Sequence, residues 1–210
     1  MSKASVRRRT ASHQVSAALL HAAETVLDRD GTGGVTVRAV AAQAAVSPMS
    51  VYNRFESKDG LIAALAMRAM NQLGEAIEVP TDVEPIERFR QACRNYRTFA
   101  LQHPARYSLI FGAGSPLEDQ SSDVAIAGHA VFDVLVELIR ALRTDAPEQD
   151  SAEAAQAVWS AMHGAVTIEH ARIGLTPDST TTYEYLLDLL TSSLTTGLRG
   201  RSSRPPRRHR

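Results

Sequence analysis

Residues 35–61 contain two short helical segments separated by only a few residues, and this spacing constrains the fold more than any other feature. Thr36 and Ser47 are residue types that cap the N-terminal end of a helix. Pro48 follows at the first helical position, where the missing N–H group of proline costs nothing. A third helix follows, and its apolar residues begin at Leu61. Helices this short and this close cannot lie side by side, so the pattern predicts a helix-turn-helix, whose second helix suits the major groove of DNA.

The same stretch resembles the DNA-binding domain of the TetR family of transcriptional regulators. The family pattern is a long first helix ending near a glycine, a Thr-x-x-x-Ile-Ala helix, and then Gly-Val-Ser-x-x-x-x-Tyr-x-His-Phe-x-x-Lys-x-x-Leu. The matching pieces of this chain are Thr36 to Ala41, Ala45-Val46-Ser47, Tyr52-Asn53-Arg54-Phe55, Lys58 and Leu61. The resemblance covers about residues 12–65.

Three positions depart from the family pattern. Ala45 replaces the turn glycine, Val40 replaces the isoleucine, and Arg54 replaces the histidine. If the φ angle of Ala45 is positive, the alanine strains the turn. Arg54 adds positive charge to the segment. None of the three changes removes the expected fold.

The net charge of zero conceals a segregation of charge along the chain. Residues 1–60 hold eight basic and five acidic side chains, residues 61–198 hold nine basic and 18 acidic ones, and residues 199–210 hold six arginines and no acid. Basic ends around an acidic middle indicate that a polyanion meets the ends and not the body. The C-terminal arginines either contact DNA or only keep the chain in solution, and the sequence leaves both interpretations open.

The composition also argues against several classes of protein. No apolar stretch approaches the length of a membrane span, and no apolar signal segment stands at the N-terminus. Cys93 is the only cysteine, so it cannot form an internal disulfide. We therefore expect a cytoplasmic protein without membrane partners. The seven histidines have no metal-ligand spacing, and no Gly-rich phosphate loop or hydrolase motif occurs, so we predict no metal, no cofactor and no enzyme activity.

Apolar residues recur at helical spacing through the whole chain, and no stretch alternates as a strand would. The first helix should run from about Ser12 to Asp30. The pattern predicts an all-α fold of about nine helices, with an N-terminal helix-turn-helix domain and a C-terminal helical regulatory and dimerisation domain. The expected segments are a disordered basic arm at 1–11, a DNA-binding domain at 12–78, an effector-binding and dimerisation domain at 79–198, and a disordered basic tail at 199–210.

The resemblance implies two groups of DNA-contacting residues. The phosphate-contacting group is Thr36, Arg38, Tyr52 and Lys58, whose hydroxyl, guanidinium, phenol and ammonium groups all suit phosphate oxygens. The base-reading group is Pro48, Met49, Ser50 and Asn53, on the recognition helix. The alternatives are a core position for Tyr52 and a merely solvated charge for Lys58. We assign Phe55 to the core.

The second half contains one recognisable piece. Trp159-Ser-Ala-Met-His163-Gly164, with His103-Pro104-x-x-Tyr107 upstream, resembles the regulatory domain of TetR-like proteins of the WHG type. One interpretation is an apolar effector pocket with Trp159 as a wall and His163 as a polar group. The other is a core tryptophan with a structural histidine. The pocket candidates are Phe99, Tyr107, Phe111, His129, Phe132, Trp159, Met162 and His163.

These features together predict a ligand-responsive transcriptional regulator. The resemblance implies a homodimer built through the last two helices, which binds a near-palindromic operator in double-stranded DNA. The most consistent role is a repressor that a small, largely apolar effector releases from DNA. Two alternatives stay open: a hydrophobe- or lipid-binding protein that keeps this fold without binding DNA, and an all-α enzyme that uses His103 or His163.

Overall fold

The structure, a computed structural model, describes the backbone of residues 3–143 and 147–196, and side chains from residue 15 onward except that of Glu148. Within these ranges there are nine α-helices, one short 3-10 helix and no strand, which confirms the all-α prediction. The predicted tail at 199–210 lies outside the described residues. The helices are α1 Lys3–Gly34, α2 Val37–Gln43, α3 Pro48–Phe55, α4 Lys58–Ile77, α5 Pro85–Gln102, α6 Pro104–Phe111, α7 Asp123–Leu142, α8 Glu148–Ala171 and α9 Ser179–Thr196.

The first helix begins earlier than the sequence pattern predicts. Its backbone is helical from Lys3 and not from about Ser12, so residues 3–11 are helical where we expected a disordered arm. The physical reason is that this segment contains alanine and arginine, which favour helices, and no glycine or proline before Gly31. At Gly31 the backbone has φ 70° and ψ −178°, which ends the regular helix after Asp30, as predicted.

The described residues form two compact units. The first consists of residues 3–76 and 98–131, and the second of residues 77–97, 132–143 and 147–196. The sequence predicts a single boundary at about residue 78, whereas the structure joins residues 98–131 to the helix-turn-helix. An amphipathic pattern shows that a helix has a buried face but not which helix covers it. The functional division into domains remains a prediction.

The core of the first unit holds the helix-turn-helix in place. Its buried residues come from α1, α2, α3 and α4, together with Leu109 of α6 and Val124 of α7. One buried charge interrupts this apolar set: Glu24, which is only 4% exposed. Its carboxylate lies 2.8 Å from Arg68 Nε and accepts a 2.7 Å hydrogen bond from Gln72 on α4. A buried carboxylate with these partners ties α1 to α4.

The second unit combines the first part of α5 with the end of α7 and with α8 and α9. Phe89, Ile139 and Leu187 are among its fully buried side chains. The hydroxyl of Tyr183 on α9 donates a 2.9 Å hydrogen bond to the backbone oxygen of Cys93 on α5. Burial raises the pKa of the Cys93 thiol to about 12. The cysteine therefore acts as a small core residue.

The short 3-10 helix and the ends of α8 have local causes. The 3-10 helix at Pro116–Glu118 begins where Ser115 caps it and Pro116 occupies its first position. The α8 helix begins at Glu148, directly after Pro147. It ends at Ala171, because Arg172 has a left-handed backbone. Among the described helices, none is both long enough and apolar enough to cross a membrane.

Candidate nucleic-acid interface

Two hydroxyl caps define the helix-turn-helix as the sequence predicts. The oxygen of Thr36 accepts the backbone N–H of Ala39 at 3.1 Å and begins α2. The oxygen of Ser47 accepts the backbone N–H of Ser50 at 3.3 Å and begins α3, with Pro48 at its first position. Each cap satisfies a backbone donor that the helix leaves unpaired. The two short helices are therefore defined by local hydrogen bonds.

The turn between these helices contains a left-handed alanine. Ala45 has φ 53°, a region in which glycine carries no steric cost and alanine does. The backbone N–H groups of Ala45 and Val46 donate to Ala42 and Ala41 at 3.2 and 2.9 Å, so the turn itself is well formed. The family pattern has glycine here, and the strain expected from the sequence is present.

The recognition helix α3 is anchored on one face and open on the other. Val51 is fully buried, and Phe55 is half-buried and packs against the core of the first unit. The assignment of Phe55 to the core is confirmed. Pro48, Met49 and Asn53 are exposed, and Met49 has 63% of its surface open to solvent.

Ser50 differs from the other members of the predicted base-reading group. It is half-buried, and its hydroxyl lies 3.0 Å from the hydroxyl of Ser47, with which it shares a hydrogen bond.

Sequence reasoning missed a further exposed residue beside the base-reading group. Val46, in the turn, is 39% exposed, and its position directly before the cap of α3 was the signal available in the sequence.

The four residues of the predicted phosphate-contacting group are all exposed. Thr36 and Arg38 lie at the start of α2, Tyr52 lies on α3, and Lys58 is the first residue of α4. Tyr52 is 47% exposed, so the alternative of a core tyrosine is wrong. Arg54 on α3 is exposed as well. These side chains offer hydroxyl and cationic groups to a polyanion on the elements that flank α3.

The predicted effector residues are divided between the two units. In the first unit, Phe99 and Tyr107 are buried, and the ring of Tyr107 lies edge-on to that of Phe111 with 5.0 Å between centroids. His129, also named as a pocket candidate, is exposed. It lies on α7 four residues after the buried Ala125 and hence on the same helical face, but the helix is exposed at residues 129–130.

In the second unit, four side chains form a connected cluster. The Trp159 indole donates a 3.3 Å hydrogen bond to the Tyr96 hydroxyl, and that hydroxyl lies 3.4 Å from Nδ1 of His163. The rings of Phe132 and Trp159 meet edge to face at 6.3 Å. Burial lowers the pKa of His163, so its imidazole is neutral near pH 7. Met162 is buried separately in the core. Tyr96 is the member of this cluster that sequence reasoning did not place in the site.

Within the described residues, no group of three or more His, Cys, Asp or Glu side chains is arranged to hold a metal ion. The polar groups in the second unit are mainly arginines of α5 paired with carboxylates. Arg97 donates to both oxygens of Glu169 at 2.8 and 2.7 Å, and its guanidinium carbon lies 5.4 Å from the centre of the Tyr183 ring. Arg90 and Arg94 both donate to Glu184. These pairs fasten α5 to α8 and α9.

Comparison with known proteins agrees with this architecture. Residues 19–65 match a family model described as bacterial regulatory proteins of the tetR family, and residues 89–190 match one described as the tetracyclin repressor-like C-terminal domain. An uncharacterized HTH-type transcriptional regulator of Mycobacterium tuberculosis, Rv0681, is 26% identical over 152 residues, which are 72% of this chain and 68% of that protein. The finer resemblance of the second half to the WHG type remains a prediction.

Solved structures show the same fold. A protein of unknown function from Rhodococcus sp. RHA1 has a TM-score of 0.73 at 25% identity, covering 84% of this chain and 93% of that one. A structure of BioQ with its double-stranded DNA operator has a TM-score of 0.60 at 24% identity, covering 85% of this chain and 96% of that one. Because the two family models match in order along one chain with this fold, the protein belongs to the TetR family of transcriptional regulators.

Proposed function

We propose that this protein is a homodimeric repressor that binds a specific operator in double-stranded DNA and is released by a small effector. The family consists of DNA-binding regulators and not of enzymes, which sets aside the enzyme alternative. The observation that carries the proposal is the open face of α3, with exposed phosphate-binding side chains on α2, α3 and α4 around it. BioQ, which is similar in fold, has been solved with its double-stranded DNA operator, and this similarity supports DNA binding by the present protein.

Each group of exposed residues has a distinct task in this proposal. Thr36, Arg38, Tyr52 and Lys58 hold the phosphate backbone and set the register of the protein on DNA. Pro48, Met49, Ser50 and Asn53 lie on the helix that enters the major groove and meet the base edges. Because each neutralised phosphate releases counterions, affinity should fall steeply as salt rises.

Selection of bound duplexes from a random DNA pool tests the proposed DNA binding. We expect enrichment of an inverted repeat, since a symmetric dimer presents two copies of α3. Selection that returns no enriched motif would contradict specific binding. If the protein also fails to bind random duplex at low salt, the alternative of a hydrophobe-binding protein without DNA binding is favoured instead.

The exposed surface of α8 and α9 supports a dimer through these two helices. On α8, Ile168 is exposed, and a Cβ atom added to Gly164 would meet nothing within 4 Å. On α9, Tyr185 and Leu189 are exposed at a spacing of one helical turn, and Leu189 has 53% of its surface open. Large apolar side chains next to small residues suit close packing of helices from a second copy of the chain.

A charge placed on this surface tests the dimer. Leu189→Lys should shift the full-length protein from dimer to monomer in sedimentation equilibrium, because an ammonium group cannot be buried there unpaired. The matched control is Ile126→Lys, at an exposed isoleucine of α7 outside this surface, which should leave the dimer intact. Equal effects of both variants, or none of either, would count against the proposed interface.

The aromatic cluster of the second unit supports an effector that is mostly apolar. Phe132 and Trp159 offer aromatic surface, while Tyr96 and the neutral His163 offer hydrogen-bonding groups without net charge. Met162, buried in the same unit, remains a candidate for this site. Phe99, Tyr107 and Phe111 remain candidates within the first unit, and the exposed His129 is left out of this proposal. An effector that lowers the affinity for DNA must itself bind less well to the DNA complex, by the same factor.

Emission from Trp159, the only tryptophan, reports on this site. A series of primary alkanols and the matching carboxylates of equal chain length separates apolar from charged effectors. We expect the alkanols to shift the emission and to lower the affinity for DNA, and the carboxylates to do neither. Response to the carboxylates alone would contradict an uncharged site. His163→Ala should weaken the response to alkanols and leave DNA binding of the free protein nearly unchanged.

We also keep a cytoplasmic location as a prediction. It follows from the role of a regulator that binds chromosomal DNA, and fractionation of cells that express the full chain would test it.

A further inference from the structure

The N-terminal end of α3 is unusually apolar for a surface that meets base edges. Val46, in the turn, is 39% exposed, and Met49, in the first helical turn, is 63% exposed. Pro48 lies between them in the sequence and is exposed as well. The valine and proline side chains have no hydrogen-bond donor or acceptor, and the methionine side chain has only the weak acceptor of its thioether sulfur.

The two serine hydroxyl groups at the same end are hydrogen-bonded to each other. Ser47 and Ser50 share a hydrogen bond of 3.0 Å between their side-chain oxygens. The Ser47 oxygen also accepts the backbone N–H of Ser50, and Ser50 is half-buried. A serine hydroxyl has one proton and two lone pairs, so within this pair only one of the two hydroxyl groups keeps a proton to donate to a base. Asn53, one turn further along, offers an amide with both donors and an acceptor.

We infer that the start of α3, with Val46 as an additional specificity residue, selects bases by the 5-methyl group of thymine. This inference rests on the DNA binding proposed above. In the major groove, thymine is the base that presents a methyl group, whereas cytosine presents only a C5–H there and a purine presents its N7 acceptor. An apolar side chain gains by covering the methyl group and loses by covering a donor or acceptor that then stays unpaired.

The surroundings of this apolar patch favour duplex DNA over another occupant. The exposed cations Arg38 and Lys58 lie on the elements directly before and after α3, and Arg54 lies on α3 itself. Cationic groups that can bind phosphates thus lie both before and after Val46, Pro48 and Met49 in the sequence. An apolar partner protein would not need this flanking positive charge, whereas a DNA groove is bordered by phosphates on both sides.

Deoxyuridine provides a direct test, because it keeps every hydrogen-bonding group of thymine and lacks only the methyl group. In the operator obtained by selection, each thymine is replaced in turn by deoxyuridine, at the equivalent position of both half-sites. The dissociation constant of the full-length protein is then measured by fluorescence anisotropy. We expect a loss of about fourfold per contacted methyl group, or about 15-fold for the symmetric pair, at one or two positions and no change elsewhere.

Variants then assign each methyl group to a side chain. Met49→Ala and Val46→Ala should each remove the difference between thymine and deoxyuridine at one position, while circular dichroism confirms that the helices are intact. Asn53→Ala should weaken binding but keep the difference. Affinity that deoxyuridine leaves unchanged at every position, or a selected half-site without thymine, would overturn the inference while specific binding stands. Failure of the proposed function would appear earlier, as the absence of any selected motif.

Discussion

Arg106 on α6 donates two hydrogen bonds to the carboxylate of Asp28 on α1, at 3.2 and 2.6 Å. A third bond, of 3.0 Å, joins its NH1 group to the side-chain oxygen of Gln72 on α4. The same NH1 group lies 3.7 Å from the buried carboxylate of Glu24. One guanidinium group therefore connects three helices of the first unit. It lies next to the buried carboxyl group of Glu24.

Removal of this guanidinium should destabilise the first unit. Arg106→Ala removes the donor to the Asp28 carboxylate and to the side-chain oxygen of Gln72, and we expect a loss of about 2 kcal/mol in the free energy of unfolding. Urea denaturation, monitored by circular dichroism, measures this free energy of unfolding. The matched control is Arg29→Ala, which removes an exposed pair with Asp30 on the same helix and should have little effect. Similar losses for both variants would show that the connection between helices is unimportant.

The left-handed alanine of the turn gives a prediction of opposite sign. Ala45→Gly should stabilise the protein by about 0.5–1 kcal/mol, because relief of the strain at φ 53° exceeds the added chain entropy of glycine. Gly31→Ala should destabilise it. A Cβ atom at Gly31 would meet nothing within 4 Å, so the backbone at φ 70° is the only source of strain. Thermal denaturation of both variants checks the two signs, and a loss of stability in Ala45→Gly would contradict the argument.

Phosphate and base contacts should respond differently to substitution. Lys58→Ala should weaken binding to all duplex sequences alike and lower the slope of log affinity against log salt by about one. Tyr52→Phe should weaken binding equally for all sequences without changing that slope, because the phenol carries no charge. Anisotropy titrations on the operator and on random duplex, at several salt concentrations, measure both effects. A change in the preferred motif with Lys58→Ala would show that the assumed docking of α3 is wrong.

The pairing of Arg97 with Glu169 predicts a dependence of stability on pH. Hydrogen bonds from Arg97 hold the pKa of Glu169 below its ordinary value of 4.5. Because the pKa of Glu169 is lower in the folded state than in the unfolded chain, its ionised form stabilises the folded state at pH values above the unfolded-state pKa. This contribution is lost as the pH falls from about 5 through the folded-state pKa. Glu169→Gln should therefore cost about 1–2 kcal/mol at pH 7 and progressively less in acid. The exposed Glu153 of the same helix, changed to Gln, serves as the control, and a constant difference across the pH range would contradict this assignment.

Tyr96 should determine the environment of the single tryptophan. Tyr96→Phe removes the oxygen that accepts from Trp159 and lies 3.4 Å from His163. We expect a shift in tryptophan emission and a loss of about 1 kcal/mol in unfolding free energy, with DNA binding of the free protein unchanged. Emission and stability equal to those of the original protein would show that this hydroxyl is not an effective partner in solution.

Local signals predicted much of the fold and of the DNA-binding face. The caps at Thr36 and Ser47 depend on hydrogen bonds between residues three positions apart, so the sequence contains both partners. The exposed face of α3 follows from the same local helix, since Val51 and Phe55 define the side that is covered. A positive φ at Ala45 was raised as a condition by the family pattern, which has glycine at this position, and the structure shows it.

Packing between distant parts of the chain could not be predicted from the sequence in the same way. The sequence identified α6 as a helix but not its attachment to α1, because Arg106 and Asp28 are 78 positions apart. His129 lies four residues after the buried Ala125, so the helical pattern places it on the covered face, and only the tertiary structure shows that α7 is exposed at this position. Tyr96 has no motif of its own, and its role became visible only when Trp159 and His163 approached it from another helix.

The sequence by itself determined the helices, their caps, the strained turn and the side chains that the recognition helix offers. These properties depend on interactions within one or two helical turns. The tertiary structure alone decided which helices share a core, which carboxylates are paired, and that Val46 is open to solvent while Ser50 is engaged with Ser47. Such features depend on burial, and burial is set by whichever distant helix covers a given face.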